Sequence, residues 1–172
     1  RSRHIETLNQ SVKWAKQMPY AKMANLGWLP KVNTIEAKVD ELLKFFGIAT
    51  HHAWEKYYYE EILKAQFRIS LKHISMPHAI SAWLRRGEIQ AQEITAPEFD
   101  AKKFEKNLKR IKNLMATKED NFFQDLQKLC LEAGVKIVHT PCLPNAPISG
   151  ATRWLKDTPL IQLSGRYKRN DI

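Results

Sequence analysis

The chain has 172 residues, of which 44% are hydrophobic, so it can bury one sizeable core or two small ones and is not a disordered polymer. The sequence has no apolar run long enough to predict a membrane span. Its first residues do not show the charged segment followed by an apolar segment that is typical of a secretory signal peptide. The formal net charge of +10 at pH 7 would attract nucleic acid, an anionic membrane surface or an acidic protein.

The first part of the chain has helical patterns with recognisable ends. An apolar stripe over residues 5–15 stops before Pro19, which cannot continue a helix. Asn33 and Glu36 form a capping pair for a second helix, which ends at Gly47. Four more helices are predicted to begin near Thr50, Ser75, Asp100 and Thr117, and the last two of these are separated from the others by a boundary at 95–98.

The helix that begins near Ser75 is predicted to end at Gly87, and the last helix is predicted to end at Gly134. After Gly134 the apolar period becomes that of strands, over residues 135–139, 151–155 and 160–164. These patterns predict an α+β fold, mostly α-helical, with a small antiparallel sheet at the C-terminal side. The boundary divides the chain into a helical region at 1–97 and a second region at 98–172.

The densest basic stretch lies on the helix that follows Asp100. Its apolar residues recur at helical spacing, and they are Phe104, Leu108, Ile111 and Met115. Its basic residues are Lys102, Lys103, Lys106, Lys109, Arg110 and Lys112. We therefore expect the lysines to lie on the outward side of this helix.

The residue types that carry catalysis are poorly arranged. Cys130 falls on an apolar helix side, where an inert thiol is expected, and Cys142 beside Pro141 has no base at suitable spacing. None of the six histidines forms the His-Glu-x-x-His pattern that zinc peptidases need. The aromatic residues Trp54, Trp83 and Phe46 lie on apolar stripes, which indicates core packing rather than base stacking. We predict no enzyme activity, catalytic residue, metal or cofactor in this chain.

The C-terminal sequence resembles a known peptidase family. The segments that carry the likeness are 134–141 (GVKIVHTP), 148–155 (ISGATRWL) and 159–172 (PLIQLSGRYKRNDI). They resemble the strand region of ImmA/IrrE-type metallopeptidase domains, in which an HExxH helix follows. That motif does not occur in these 172 residues, so the likeness implies a truncated zincin-like domain, with zinc as a cofactor only of a longer parent.

The upstream segments extend the resemblance. They are 14–19 (WAKQMP), 27–30 (GWLP), 42–49 (LLKFFGIA), 54–57 (WEKY), 67–68 (FR) and 82–88 (AWLRRGE). In this order they resemble the middle region of HigA-type antitoxins and related XRE-family regulators, which have a DNA-binding helix-turn-helix before it. The resemblance implies a fragment of a cytoplasmic bacterial-type transcriptional regulator or antitoxin that acts in partner contact or sensing.

The resemblance also implies partners and a candidate site. A toxin or regulator protein is expected as partner, DNA would be bound through an N-terminal domain, and no membrane is involved. Strands that precede the zinc helix wall the substrate cleft of zincins, and the corresponding residues here are Gly150, Arg153, Trp154, Leu163, Ser164 and Arg166. Ordinary sheet packing is the alternative for these six, and an exposed sheet face would favour a homo-oligomer.

A second hypothesis is a basic nucleic-acid-binding module. The segment 79–86 could serve as a recognition helix with Arg85 and Arg86 toward a groove, although a strand-like stretch at 66–70 precedes it. The candidate contacts are Arg85, Arg86, Lys103, Lys106 and Arg110. A steep fall of affinity with salt would distinguish this hypothesis from a protein-partner role.

Overall fold

The computed structural model describes residues 2–64, 66–68, 77–117, 121–144 and 148–164. The helices in this part are α1 (Ser2–Gln17), α2 (Tyr20–Asn25), α3 (Ile35–Phe46), α4 (His51–Lys64), α5 (Pro77–Gln92), α6 (Ala101–Thr117) and α7 (Phe122–Glu132). The strands are β1 (Gln66–Arg68), β2 (Lys136–His139), β3 (Gly150–Leu155) and β4 (Thr158–Leu163). The predicted α+β, mostly helical fold is confirmed.

The helix ends show which local signals operate. Thr34, not Asn33, caps α3, because its hydroxyl accepts a 3.2 Å hydrogen bond from the Ala37 N–H. Gly47 ends the same helix in the left-handed conformation, with φ of 67°. The cap predicted at Ser75 lies outside the described residues. For α7, Asn121 occupies the cap position without a side-chain hydrogen bond, so the cap predicted at Thr117 is wrong.

Helix α5 continues past Gly87, where the sequence predicts its end. A Cβ atom at Gly87 would collide with the side chain of Gln162 on β4. The glycine therefore permits a close approach between α5 and the sheet rather than a helix terminus. The Gln162 amide uses this closeness, because its Nε2 donates to the Trp83 carbonyl at 2.6 Å and to Thr140 Oγ1 at 3.0 Å.

The sheet has the strand order β1-β3-β4-β2 and is mixed rather than wholly antiparallel as predicted. Strand β3 pairs antiparallel with both β1 and β4, whereas β2 pairs parallel with β4. The chain reverses direction twice between β2 and β4, once before β3 and once at the tight turn after Leu155. Two reversals return β4 to the direction of β2, and β4 lies between β2 and β3.

Two main apolar clusters form the core. The larger one is formed mainly by helices α1, α2, α3, α4 and α5, and it contains the buried aromatic residues Trp14, Phe46, Trp54 and Trp83. The core role predicted for Phe46, Trp54 and Trp83 is confirmed. The second lies between α6, α7 and β2, with Ile111, Cys130 and Ile137 among its buried members. The stripe predicted on α1 is only partly buried: Ala15 is buried and Val12 is half-buried, but Ile5 and Leu8 are exposed.

Candidate functional site

A groove of about 280 Å³ lies between the outer face of the sheet and the beginning of α6. Its wall and floor are mainly apolar, and the lining residues are Phe99, Phe104, Val135, Thr152, Arg153, Trp154, Pro159, Leu160 and Ile161. We call this feature the Trp154 groove. It presents an exposed aromatic side chain, Trp154, beside a concave surface.

Trp154 is the most exposed aromatic residue of the groove. Its exposed fraction is 53%, and it stands near the turn of the β3–β4 hairpin, where it is paired with Pro159. The ring lies edge-on to Phe99, with centroids 5.3 Å apart and planes at 84°. The ring centroid of Phe99 in turn lies 6.4 Å from that of Phe104, the first aromatic residue of α6. The three rings therefore form a continuous aromatic wall, which is preorganised because each ring contacts the next.

Arg153 points to the opposite face of the sheet, as expected for the residue next to Trp154 on a strand. Its side chain is 1% exposed. Nη1 donates to Glu88 Oε1 at 2.9 Å, and Nη2 donates to the Leu84 carbonyl at 2.6 Å. The guanidinium thus connects β3 to α5 inside the protein.

Glu88 is the centre of this buried polar cluster. Besides the bond from Arg153, its carboxylate accepts a hydrogen bond from Tyr57 Oη at 2.6 Å. Arg85 Nη1 donates to the second carboxylate oxygen at 2.9 Å, and Arg85 Nε donates to the Phe45 carbonyl at 2.8 Å. Both cations and the phenol hydroxyl satisfy a carboxylate that would otherwise be costly to bury.

The other residues proposed for a cleft lie away from Trp154. Gly150 is paired with Leu163 at one end of the β3–β4 hairpin, whereas Trp154 is paired with Pro159 near the other end. Ser164 is buried, and its N–H donates to the Ser149 carbonyl at 3.1 Å. Four strand positions separate Gly150 from Trp154, or roughly 13 Å. Arg166 lies outside the described residues.

The candidates for nucleic-acid contact divide between two helices. Arg85 is engaged in the Glu88 cluster and Arg86 is half-buried on α5, a helix with nine buried residues. Lys103, Lys106 and Arg110 are exposed on α6, as the sequence predicts. Among them Arg110 lies 3.8 Å from Glu132 in a largely exposed ion pair. Among these five candidates the exposed cations therefore lie on α6, and α5 has little free surface for groove reading.

Sequence reasoning missed the helix side of the groove. Phe99 and Phe104 were not associated with the strands, because their contact with Trp154 is made between distant segments. One local signal was available: the alternation of strand residues places Thr152 and Trp154 on one face and Arg153 on the other. A strand with tryptophan on its polar side and arginine on its apolar side is unusual enough to mark a site.

Chemical groups suited to catalysis are sparse in the described part of the chain. Within it, no cluster of three or more His, Cys, Asp or Glu side chains could hold a metal ion. Cys130 is buried, and burial raises the pKa of its thiol to about 11, so the thiolate is disfavoured. The lining of the Trp154 groove is mainly apolar, which suits binding by shape and apolar contact.

No protein-family model matches this sequence, and neither a curated protein nor a solved structure matches it significantly. Within the described residues, no helix combines the length and apolar character needed to cross a membrane.

Proposed function

We propose that this chain binds a protein partner through the Trp154 groove, as the partner-contact part of a cytoplasmic transcriptional regulator or antitoxin of the type that it resembles. The proposal assigns the chain no catalytic step. The observation that carries it is the 53% exposure of Trp154 beside a concave apolar surface.

Burial of this surface would supply useful binding energy. A tryptophan side chain can bury 150–250 Å², so covering the exposed half of Trp154 removes roughly 100 Å² of largely apolar surface from water. At about 25 cal/mol per Å² this contributes about 2–3 kcal/mol, which is typical of a binding hot spot. Because Phe99 already holds the ring edge-on, little side-chain entropy is lost on binding.

The charge of the chain limits the partner's chemistry. With a formal net charge of +10, the chain repels basic proteins and attracts acidic ones. The groove itself is lined mainly by apolar groups, so the partner must insert an apolar side chain there. We therefore propose an acidic protein that presents an aliphatic or aromatic residue, in agreement with the toxin or regulator that the resemblance implies.

The experiment begins with identification of the partner. A photo-crosslinking amino acid at position 154, in the protein produced in its own cells, would capture a partner that touches the groove. The captured protein is then purified, and its Kd is measured by calorimetry with the unmodified chain and with Trp154→Ala. We expect the substitution to raise Kd at least tenfold, which corresponds to a loss of about 1.4 kcal/mol or more of binding free energy.

Leu8→Ala is the matched control, because Leu8 is also 53% exposed and lies on α1, outside the groove. It should leave the Kd within about twofold of the unmodified value. Equal Kd values for the unmodified chain and a folded Trp154→Ala variant would contradict the proposal. A cross-link to a second copy of the chain would instead assign the groove to self-association.

A further inference from the structure

Helix α6 has a charge that is unusual for its length. It contains six basic residues and one acidic residue, Glu105, so its formal charge is +5. That is half of the net charge of the whole chain, on a helix of 17 residues out of 172. A surface that only needs to stay solvated usually mixes both signs of charge.

The packing of α6 fixes the direction of these charges. Asn107 and Ile111 are buried, and Asn107 Nδ2 donates to the Leu129 carbonyl of α7 at 2.9 Å. The opposite side of the helix presents Lys102, Lys106 and Lys109, which are all exposed and follow one another at i, i+4 and i+7. With a rise of 1.5 Å per residue, this row is about 10 Å long. We call these three residues, with the flanking Lys103, Arg110 and Lys112, the lysine face.

The lysine face is unfavourable for the helix itself. Lys106 has a like-charged residue three or four positions away in both directions, and like charges at these spacings destabilise a helix. Lys102 and Lys103 stand in the first turn, where the helix dipole favours acidic residues and α6 has none. Asp100 offsets part of this by accepting a 3.0 Å hydrogen bond from the Lys103 N–H. Proteins depart from such rules of helix stability mainly at functional sites, including surfaces that bind a ligand.

We propose that the lysine face of α6 binds the phosphodiester backbone of nucleic acid. A straight row of exposed cations fits a linear polyanion, and one DNA strand carries a negative charge about every 3.4 Å of helix axis. The contacts are to phosphates, so binding is independent of base sequence. The site differs from the Trp154 groove, and its test does not depend on the proposed partner.

An anionic membrane fits these observations less well. The large exposed apolar residues of α6 are Leu108 and Met115, and they lie about 140° around the helix from the lysine row. A flat bilayer that contacts the lysines would therefore receive no apolar side chain from the same side, whereas membrane-surface helices insert one. The row meets a surface by charge alone, which is how phosphate backbones are bound.

The test measures fluorescence anisotropy of a labelled duplex of about 20 base pairs with the whole chain, over about 50 to 200 mM salt. A triple variant, Lys102→Gln with Lys106→Gln and Lys109→Gln, removes the row while retaining helix propensity. Each phosphate contact contributes about 0.9 to the slope of log K against log salt, so the slope should fall by about 2 to 3 units. Affinity at low salt should fall at least tenfold.

The control variant removes three exposed helical lysines elsewhere, Lys13, Lys16 and Lys22, each changed to Gln. It lowers the net charge equally, and we expect a change in slope of less than about one unit. Equal losses in the two triple variants would overturn the proposal, because net charge alone would then explain binding. Absence of binding at low salt, or tighter binding to anionic phospholipid vesicles or polyglutamate than to duplex DNA, would overturn it as well.

A single substitution distinguishes ligand binding from a structural role. Lys106→Gln relieves the repulsion within α6, so we expect it to raise Tm by about 2 °C while it lowers DNA affinity. A residue that served only the fold would not produce these opposite changes. A lowered Tm, or an unchanged DNA affinity, would overturn the assignment. Trp154→Ala should bind DNA like the unmodified chain, which separates this proposal from the proposed function.

Discussion

His78 is a half-buried histidine in the first turn of α5. Its ring stacks on Trp54, with centroids 4.6 Å apart and planes at 17°. The Trp54 Nε1–H donates to Ser81 Oγ at 2.9 Å, and Ser81 Oγ donates to the His78 carbonyl at 2.8 Å. Burial lowers the pKa of His78, because the charged imidazolium is less well solvated there than in water.

This shift predicts the direction of a pH effect on stability. The unfolded chain binds a proton at His78 near the ordinary pKa of about 6.5, while the folded chain binds it only at lower pH. As pH falls through this window the unfolded state holds more protons, so the free energy of unfolding decreases, and it levels off below the folded pKa. Stability contributed by neutral His78 is therefore fully present above about pH 7.5.

Urea unfolding at pH 7.5 and at pH 5.5 would measure the effect. We expect the unmodified chain to be less stable at pH 5.5, and His78→Phe, which retains a ring against Trp54, to lose part of that difference. His51 also has a pKa lowered by burial and by the neighbouring His52, so some pH dependence should remain in the variant. An identical pH dependence in both proteins would refute the role of His78.

At the scale of elements, the edge of the sheet is protected by side chains. Strand β2 is an edge strand, and the carbonyls of Ile137 and His139 accept hydrogen bonds from Gln127 Nε2 at 3.4 Å and Gln90 Nε2 at 2.8 Å. Both amides occupy positions that another strand would need. Addition of a partner strand at β2 is thus disfavoured.

Most helices could be predicted because their signals are local. The period of apolar residues and the glycine at position 47 indicate α3 without reference to the rest of the chain. Helix α2 directly follows Pro19 and has only six residues, so it is too short to show the apolar period of a helix. The parallel pairing of β2 with β4 and the meeting of Phe99 with Trp154 depend on contacts between distant segments. These features could not be obtained from local patterns.

Substitution of Gly87 tests whether the close approach of α5 to the sheet contributes to stability. Alanine favours a helix over glycine by up to about 1 kcal/mol, but its Cβ would displace the buried Gln162 amide from its hydrogen bonds. We expect Gly87→Ala to destabilise the protein by about 1–3 kcal/mol in urea unfolding. Gln162→Ala should make room for the methyl group, so the double variant should be less destabilised than the sum of the single ones. Additive effects, or a stabilised Gly87→Ala variant, would contradict this contact.

At the scale of the whole molecule, α5 joins the helical cluster to the sheet. Its Trp83 Nε1–H donates to the Thr140 carbonyl at 3.0 Å, and its Glu88 pairs with Arg153 of β3 at 2.9 Å. Both contacts connect residues before position 97 with residues after it. Removal of one partner of a buried ion pair leaves the other charge poorly compensated, which costs about 3–5 kcal/mol.

Arg153→Met should therefore lower the free energy of unfolding by about 3 kcal/mol, toward the lower limit because Arg85 still pairs with Glu88. Two local probes can follow the two apolar clusters in a Cys142→Ser background: tryptophan fluorescence reports mainly the larger one, and thiol reactivity of buried Cys130 reports the second. Without the Arg153 change we expect both signals to change at one urea concentration. In the variant we expect the thiol to react first, because the sheet and the helices packed on it are no longer held to α5.

The exposed neighbour Thr152 supplies the matched control, and Thr152→Ala should change stability by no more than about 0.5 kcal/mol. The double variant Arg153→Met with Glu88→Gln should be less destabilised than the sum of its parts, since each change removes the same ion pair. If Arg153→Met unfolds at the urea concentration of the unmodified chain, the buried pair does not hold the sheet to α5. Coincident transitions in a destabilised variant would mean that the remaining contacts of Trp83 and Gln162 suffice to couple the two clusters.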